Sequence, residues 1–256
     1  MIETYLIDTH SHINMITKTG IDEVIQNAEK SGVRKIIVPS AEPADIPQIM
    51  ELINRYKNVY GFLGVHPSDA KQWRDELIDE ITELAKNKKI VGIGEIGLDY
   101  YWDKSYTDIQ QDVFIKQIKL ANKLNLPIDV HDREAHHDTF NIIREHNQGS
   151  KVIMHCYSGS LEFAKECVKA GYYIGIGGVV TFKNAVKIKE VAKHIPLEHI
   201  LLETDAPFLT PVPFRGKENQ PAYVKYIAQE IAALRGISCE EVASVTTKSA
   251  EKVFGI

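Results

Sequence analysis

Short apolar runs rich in Val, Ile and Tyr recur along the chain, and a longer stretch with helical spacing of its apolar residues follows each of them. This is the pattern of βα units around a parallel sheet. The pattern predicts eight strands. They span roughly 5–8, 35–38, 61–65, 90–94, 127–130, 151–154, 173–176 and 200–203.

Amphipathic helices are predicted between the strands, for example over 21–31, 74–87, 107–124, 161–170, 184–194 and 221–235. Beyond Gly236, two short helical patterns are expected to pack against the barrel. Strands that are apolar on both sides need cover on both faces, as parallel sheets do. We therefore predict a single TIM-type (β/α)8 barrel over residues 1–256. A doubly wound open sheet is the alternative, and periodicity alone does not exclude it.

Composition and charge limit the kinds of partner that this chain is expected to bind. With 44% hydrophobic and 25% charged residues, its 256 residues have the make-up of a globular protein. The formal net charge of -5 provides no general basic field for coating nucleic acid. Any phosphate recognition must therefore come from a local site or from bound cations.

The compartment is predicted from the cysteines and from the apolar runs. The three cysteines form no C-x-x-C pair, which fits a reducing environment. We find no secretory signal and no run of 18 apolar residues for a membrane span. A cytoplasmic protein without membrane contact is expected; the sequence implies no stable protein partner and leaves the oligomeric state open.

Residues able to bind metals occur at, or just after, the carboxyl ends of the predicted strands. In a (β/α)8 barrel these ends open onto one face, where barrel enzymes place their chemistry. A lone histidine at a strand end is more often structural, and H-x-H by itself is a weak motif. The convergence of several such residues favours a metal site at that face. They are His10, His12, His66, Glu95, His131, His155 and Asp205.

Six of these residues are the candidate ligands, and four histidines and two acids are enough donors for two divalent cations. They are His10, His12, Glu95, His131, His155 and Asp205. Glu95 is the natural bridge, because its strand lies between the strand of His10 and His12 and the strands of His131 and His155. Mixed imidazole and carboxylate ligation suits Zn, Mn, Fe or Ni, whereas oxygen ligands alone suit Mg or Ca.

One motif points elsewhere. Gly92–Gly97 reads G-x-G-x-x-G after a strand, as in dinucleotide-binding folds. That fingerprint needs a helix to start at the motif, and no helix signal appears here before about Tyr106. We expect the glycines to let the backbone pass close to the metal site instead.

The segments DTHSH, GVHP, GEIGLDYYWD, HDR, HCYSGS and LLETDAP, in this order, resemble the TatD-related family of metal-dependent hydrolases. The resemblance runs from about Asp8 to the C-terminus. It implies a TIM barrel of the wider amidohydrolase group. It also implies hydrolysis of DNA phosphodiesters, often as an exonuclease, and we expect a preference for single strands. Asn14 and Gln220 depart from the residues usual in the family, Asp and Glu, and neither is a predicted ligand.

The resemblance also implies the ligand sets of two divalent cations, drawn from Mg, Mn, Zn and Ni. The first set is His10, His12 and Asp205; the second is His131 and His155, with Glu95 between the cations. We predict catalytic roles for Glu95 and for Asp205, which would accept the proton of the attacking water. Loss of Asp205 should harm chemistry more than metal binding.

Substrate contacts are predicted for His66, Arg133 and Arg215, because arginine suits bidentate phosphate binding. The structural alternatives are that Arg133 pairs with a neighbouring acid and that His66 caps a loop before Pro67. The aromatic residues 100–102 follow the fourth strand, and they either stack on a base or pack on the rim of the barrel.

Two other functions compete with a deoxyribonuclease. The first is an amidohydrolase-type small-molecule hydrolase that cleaves a cyclic amide, lactone or phosphoester. Many such enzymes bridge their metals with a modified lysine on strand four, where this chain has Glu95. The second is a binding protein without turnover, which would be expected to have lost ligands; all six are present.

Overall fold

The computed structural model describes residues 4–256, and there the strands alternate with helices along the chain. In sheet order the strands follow chain order, from β1 to β8. The strands are β1 (Leu6–Asp8), β2 (Val33–Pro39), β3 (Val59–Leu63), β4 (Ile90–Asp99), β5 (Ile128–Arg133), β6 (Val152–Met154), β7 (Tyr173–Ile176) and β8 (Ile200–Leu202). The α-helices are α1 (Ile21–Lys30), α2 (Ile46–Arg55), α3 (Glu76–Leu84), α4 (Thr107–Leu124), α5 (His136–His146), α6 (Leu161–Lys169), α7 (Val186–His194), α8 (Val224–Arg235) and α9 (Cys239–Phe254).

The chain divides into two compact units, Pro39–His155 and the remainder on either side of it. The prediction of a single domain over residues 1–256 stays a prediction, and residues 1–3 lie outside the described range. None of the helices within residues 4–256 has both the length and the apolar character needed to cross a bilayer.

The flanking unit contains β1, β7 and β8, with β2 up to Val38. Its strands pair in parallel, β1 with β2 and β7 with β8. Helices α8 and α9 pack on β1 and β8 and bury apolar side chains such as Ile227 and Val242. Burial of this kind contributes about 25 cal/mol per Å² of apolar surface and drives the packing.

The C-terminal segment corrects one sequence expectation. Two short helical patterns were expected after Gly236, and the structure has the single helix α9 of 16 residues. Ser238 caps its first turn by accepting a hydrogen bond from the Glu241 N–H, and Gly255 ends it with φ +68°. A continuous buried face, which includes Val242 and Val253, holds the helix together across the polar residues between them.

The central unit, Pro39–His155, contains β3 to β6, which pair in parallel in chain order. Strand β4 is 10 residues long and buried throughout, with α4 packed on it. The sequence predicted this strand only to Gly94. It continues because 96–99 pair with 130–133, beyond a register shift between Ile93 and Ile96. Glu95 and His131 therefore lie within strands, and their predicted placement after strand ends is wrong.

The glycine motif on β4 serves strand packing. Helix α4 begins at Thr107, well beyond the motif, so the dinucleotide interpretation loses its required helix. Gly97 has φ +143°, and a Cβ there would lie 2.0 Å from the His131 carbonyl oxygen. Only glycine allows β4 and β5 to approach this closely.

Replacing Gly97 by Ala should therefore destabilise the protein. We expect G97A to lower the free energy of unfolding by about 3 kcal/mol or more, from backbone strain and steric overlap together. Gly149 is the matched control, because its φ is +119° and a Cβ at this position would have no neighbouring atom within 4 Å. G149A should cost only about 1 kcal/mol. Urea denaturation of both variants measures the difference, and equal losses would contradict the steric argument.

Candidate metal centre

The first group of donors lies in the flanking unit and consists of His10, His12 and Asp205. The Nε2 atoms of the two histidines are 3.1 Å apart. Asp205 Oδ1 lies 3.9 Å from His10 Nε2 and 3.8 Å from His12 Nε2, which is too long for hydrogen bonds. The histidines are 0% and 4% exposed. Three donors thus converge on one point in a buried setting.

These separations fit a cation better than direct contact. The three side chains each offer a ligand atom within 4.8 Å of the others. Ligands that bind a common cation at about 2.0–2.2 Å are themselves roughly 3–4 Å apart. Two imidazoles and one carboxylate are also a usual donor set for Zn, Mn or Ni. The residues present therefore fit a divalent cation.

Backbone hydrogen bonds hold this group in place. Asp205 N–H donates to the His10 carbonyl at 3.0 Å, and His12 N–H donates to the Ala206 carbonyl at 2.8 Å. The segments that follow β1 and β8 are thereby tied together. Asp205 itself has φ +54°, a left-handed conformation that is uncommon for non-glycine residues. Such strain persists only where its surroundings enforce it, and it is typical of functional sites.

Two polar residues that sequence reasoning did not select enforce the Asp205 conformation. Buried Asn219 donates through Nδ2 to the carbonyls of Thr204 and Phe208, on either side of Asp205. Asp8 accepts from the N–H and the hydroxyl of Thr204. Burial raises the pKa of Asp8 to about 8, although these hydrogen bonds lower it. The first Asp of DTHSH was a signal for this role.

The second group lies in the central unit, around Glu95. Glu95 Oε1 is 2.8 Å from His131 Nδ1, 3.6 Å from His66 Nε2 and 3.7 Å from His155 Nε2. Glu95 and His155 are 4% and 5% exposed. The carboxylate and the imidazoles of His131 and His155 are donor types that fit a divalent cation.

Asp99 orients His131 and was not selected from the sequence. Its Oδ2 lies 3.0 Å from His131 Nε2, so the carboxylate accepts a hydrogen bond from this ring nitrogen while Nδ1 faces Glu95. Metal-binding histidines commonly have such a partner, which fixes the ring and its tautomer. Burial lowers the pKa of His131, but hydrogen bonds and charges from Asp99 and Glu95 outweigh it and raise the pKa to about 9.

Two buried glutamines of α4 hold the backbone near this group. Gln117 exchanges two hydrogen bonds with Val65, next to His66, and Gln110 exchanges two with the backbone of Asp99. Each glutamine is 1% exposed. Their amides satisfy backbone groups that would otherwise be buried without partners.

The three residues predicted to contact substrate differ in what their side chains touch. His66 caps the turn 67–72, as the structural alternative had it, because its Nδ1 accepts from the Ser68 N–H at 3.1 Å. The neutral ring then carries its proton on Nε2, which faces Glu95. The guanidinium of Arg133 lies over Tyr101. Arg215 lies over Phe182 and donates to the Thr210 carbonyl. Both arginines are exposed.

The two departures from the family pattern are not among these contacts. Gln220 Oε1 accepts from Asn27 Nδ2 at 3.3 Å, which ties the start of the α8 segment to α1. Asn14 Oδ1 is buried and makes no hydrogen bond with any residue in the described range.

Comparison with known proteins decides the family. The family model described as TatD related DNase matches residues 7–255. The chain belongs to this family. An uncharacterized metal-dependent hydrolase of Bacillus subtilis, YabD, is 48% identical to it over 98% of this chain and 99% of its own length. Another from Escherichia coli, YcfH, is 35% identical over 98% of this chain and 96% of its own.

A solved structure supports the same conclusion for the fold. The crystal structure of the Escherichia coli TatD homologue YjjV matches with a TM-score of 0.92 and 32% identity, over 98% of both chains. The predicted TIM-type (β/α)8 fold and the family resemblance are thereby confirmed. This TatD-family chain is a metal-dependent hydrolase. The roles of the individual site residues stay predictions, although the structure gathers them into two donor groups.

Removing the charge of Asp99 should weaken cation binding. In D99N the amide can donate to His131 Nε2 and so drive the ring proton onto Nδ1, which faces Glu95. We expect divalent cation affinity to fall about 10- to 100-fold. Calorimetric titration measures it. D103N is the matched control, because exposed Asp103 accepts from the Ser105 N–H outside the group. Similar affinities for D99N and D103N would contradict the assignment.

Cation binding at the second group should release a proton. With a pKa of about 9, His131 is protonated at pH 7–8 in the metal-free protein, and a cation must displace one of its protons. Affinity should therefore rise with pH and level off above about 9. The buffer dependence of the binding enthalpy counts the protons. H131Q should release about one proton fewer than the wild type, and an unchanged count would contradict this account.

Proposed function

We propose that this TatD-family hydrolase is a deoxyribonuclease that cleaves phosphodiester bonds, as an exonuclease with a preference for single-stranded DNA. The family model is described as a DNase, and the curated relatives named above are described only as metal-dependent hydrolases. The proposal therefore rests on the site. The observation that carries it is the combination of two largely buried groups of His and carboxylate side chains with exposed arginines, Arg133 and Arg215.

The charge distribution supports a local phosphate site. The chain has a formal net charge of -5, so a polyanion gains no general attraction to it. Cations in the donor groups and exposed guanidinium groups would supply that attraction locally. Exposed flanking groups also favour an extended substrate, because small-molecule sites enclose roughly 70–90% of the ligand surface.

The metal part of the proposal has two divalent cations. His10, His12 and Asp205 would hold the first, and His131 and His155 the second, with Glu95 shared between them. Bound cations would polarise a phosphoryl oxygen and lower the pKa of the attacking water. The imidazole content favours Mn, Zn or Ni over Mg.

The protein's own groups would manage protons and position. Asp205 is held in a strained conformation with its carboxylate 14% exposed, so it can both reach solvent and keep one orientation. It would accept the proton of the attacking water. His66 presents an Nε2 proton while its Nδ1 is fixed by Ser68, and it would donate to a phosphate oxygen. Neither role requires a change of backbone.

Two conservative substitutions test the proposal. D205N should retain cation at the second group and lose about 100-fold or more in single-stranded DNA cleavage, because the base is lost. E95Q should lose both cation and cleavage. Metal content and release of nucleotides from a labelled oligonucleotide are measured together. E166Q, on the exposed side of α6, is the control and should match the wild type.

Two results would overturn the proposal. One is wild-type protein that leaves DNA intact while hydrolysing a lactone, cyclic amide or small phosphoester with the same cations. The other is D205N with undiminished cleavage. The first result would favour the small-molecule hydrolase, and the second would remove Asp205 from the reaction.

A further inference from the structure

Two adjacent aromatic side chains are exposed directly after β4. Trp102 is 71% exposed and Tyr101 is 47% exposed. Large aromatic residues contribute most to stability when they are buried, so the exposure of two of them side by side requires an explanation. Tyr100 differs from both, because its hydroxyl donates to Asp138 and it is only partly exposed.

The chain's other tryptophan shows how a structural one is held. Trp73 packs against the cluster of Ala70, Tyr106 and Val113, and its Nε1 donates to Asp75 at 3.0 Å. Trp102, by contrast, is 71% exposed and is not a member of that cluster. Of the two alternatives for residues 100–102, the exposure of Trp102 favours stacking on a base over packing on the rim of the barrel.

A cation is stacked on the exposed pair. The guanidinium carbon of Arg133 lies 3.9 Å from the ring centre of Tyr101 and 5.4 Å from that of Trp102. The two rings meet edge to face, with centres 4.8 Å apart. Cation–π contact fixes the arginine and leaves its charge available to an anion. We call Tyr101, Trp102 and Arg133 the aromatic platform.

The aromatic platform is joined to the second donor group. Asp99, which binds His131 through Oδ2, accepts the Tyr101 N–H through Oδ1 at 2.9 Å. Arg133 lies two residues after His131 on β5, and its carbonyl accepts from the Tyr100 N–H at 2.9 Å. The same two strand ends thus support a metal ligand and the platform, so both are held in a defined relative position.

We propose that the aromatic platform binds a nucleobase of single-stranded DNA, stacked on Trp102, while Arg133 contacts a neighbouring phosphate. The proposal rests on the proposed function and adds a reason for strand preference. A base in a duplex has both faces covered by its neighbours, whereas an unpaired base offers a face to an aromatic ring. Stacking is tolerant of sequence, since every base has a π-face.

Trp102 fluorescence tests stacking directly. The chain has two tryptophans, so W73F leaves Trp102 as the reporter. The probe is a phosphorothioate-linked pentathymidylate, which slows turnover, and its matched control is the same backbone with abasic sites. We expect saturable quenching of W73F by the pentathymidylate and none by the abasic strand. W102F, which keeps Trp73, should show no quenching with either.

Binding affinity provides a second, independent measurement. W102A should weaken pentathymidylate binding about 5- to 100-fold, the loss typical of one stacked base, and leave the weaker binding of the abasic strand unchanged. W102F should recover most of the affinity because it restores a ring. V186A is the control, since Val186 on α7 is 68% exposed and lies outside the platform.

The outcomes separate this inference from the proposed function. Absent quenching, equal quenching by the abasic strand, or wild-type affinity in W102A would overturn the platform, even if DNA is cleaved. Base-dependent quenching in a protein that cleaves no DNA would support the platform and overturn the deoxyribonuclease assignment. Cleavage of DNA, together with base-dependent quenching of Trp102 by the single-stranded probe, would support both.

Discussion

The site depends on one constraint: its charged and polar candidate metal-ligating side chains are buried away from bulk water. Glu95 lies almost fully buried against three imidazoles, and Asp205 faces two more. A buried carboxylate is unfavourable unless a cation or hydrogen-bond donors compensate its charge. In the metal-free protein, protonated His131 supplies part of that compensation, and a divalent cation would replace the proton. The site is therefore prepared for a cation by the same electrostatics that would otherwise destabilise it.

The surrounding structure keeps these donors in place through hydrogen bonds to the backbone. Asn219 and Asp8 fix the segment around Asp205, while Gln110 and Asp99 fix the end of β4. Each is a buried polar side chain that bonds to a different segment of the chain, from 11 residues away for Gln110 and Asp99 to 196 residues away for Asp8 and Thr204. Such fully satisfied contacts specify one conformation, which a strained residue such as Asp205 requires.

The exposed groups have a different purpose from the buried ones. The buried donors would bind cations, whereas Arg133 and Trp102 remain open to a ligand of larger size. An acidic protein that handles a polyanion needs its positive charge concentrated at the site, and here arginines and cations would provide it. Family membership establishes a metal-dependent hydrolase, and these exposed groups are the basis for proposing DNA as its substrate.

The sequence by itself determined the alternation of strands and helices and the set of candidate ligands, because hydrophobic periodicity and donor residues are local features that the chain displays directly. Periodicity favoured the (β/α)8 barrel but did not exclude an open sheet. Strand ends were less well determined: β4 and β5 extend past Glu95 and His131, since pairing between strands overrides the local signal of polar residues and glycines. Only the tertiary structure showed that Asp99 supports His131 and that Asn219 brackets Asp205. It also showed that Trp102 is exposed whereas Trp73 packs against a hydrophobic cluster. Those distinctions depend on contacts and exposure, which arise only when distant segments pack together.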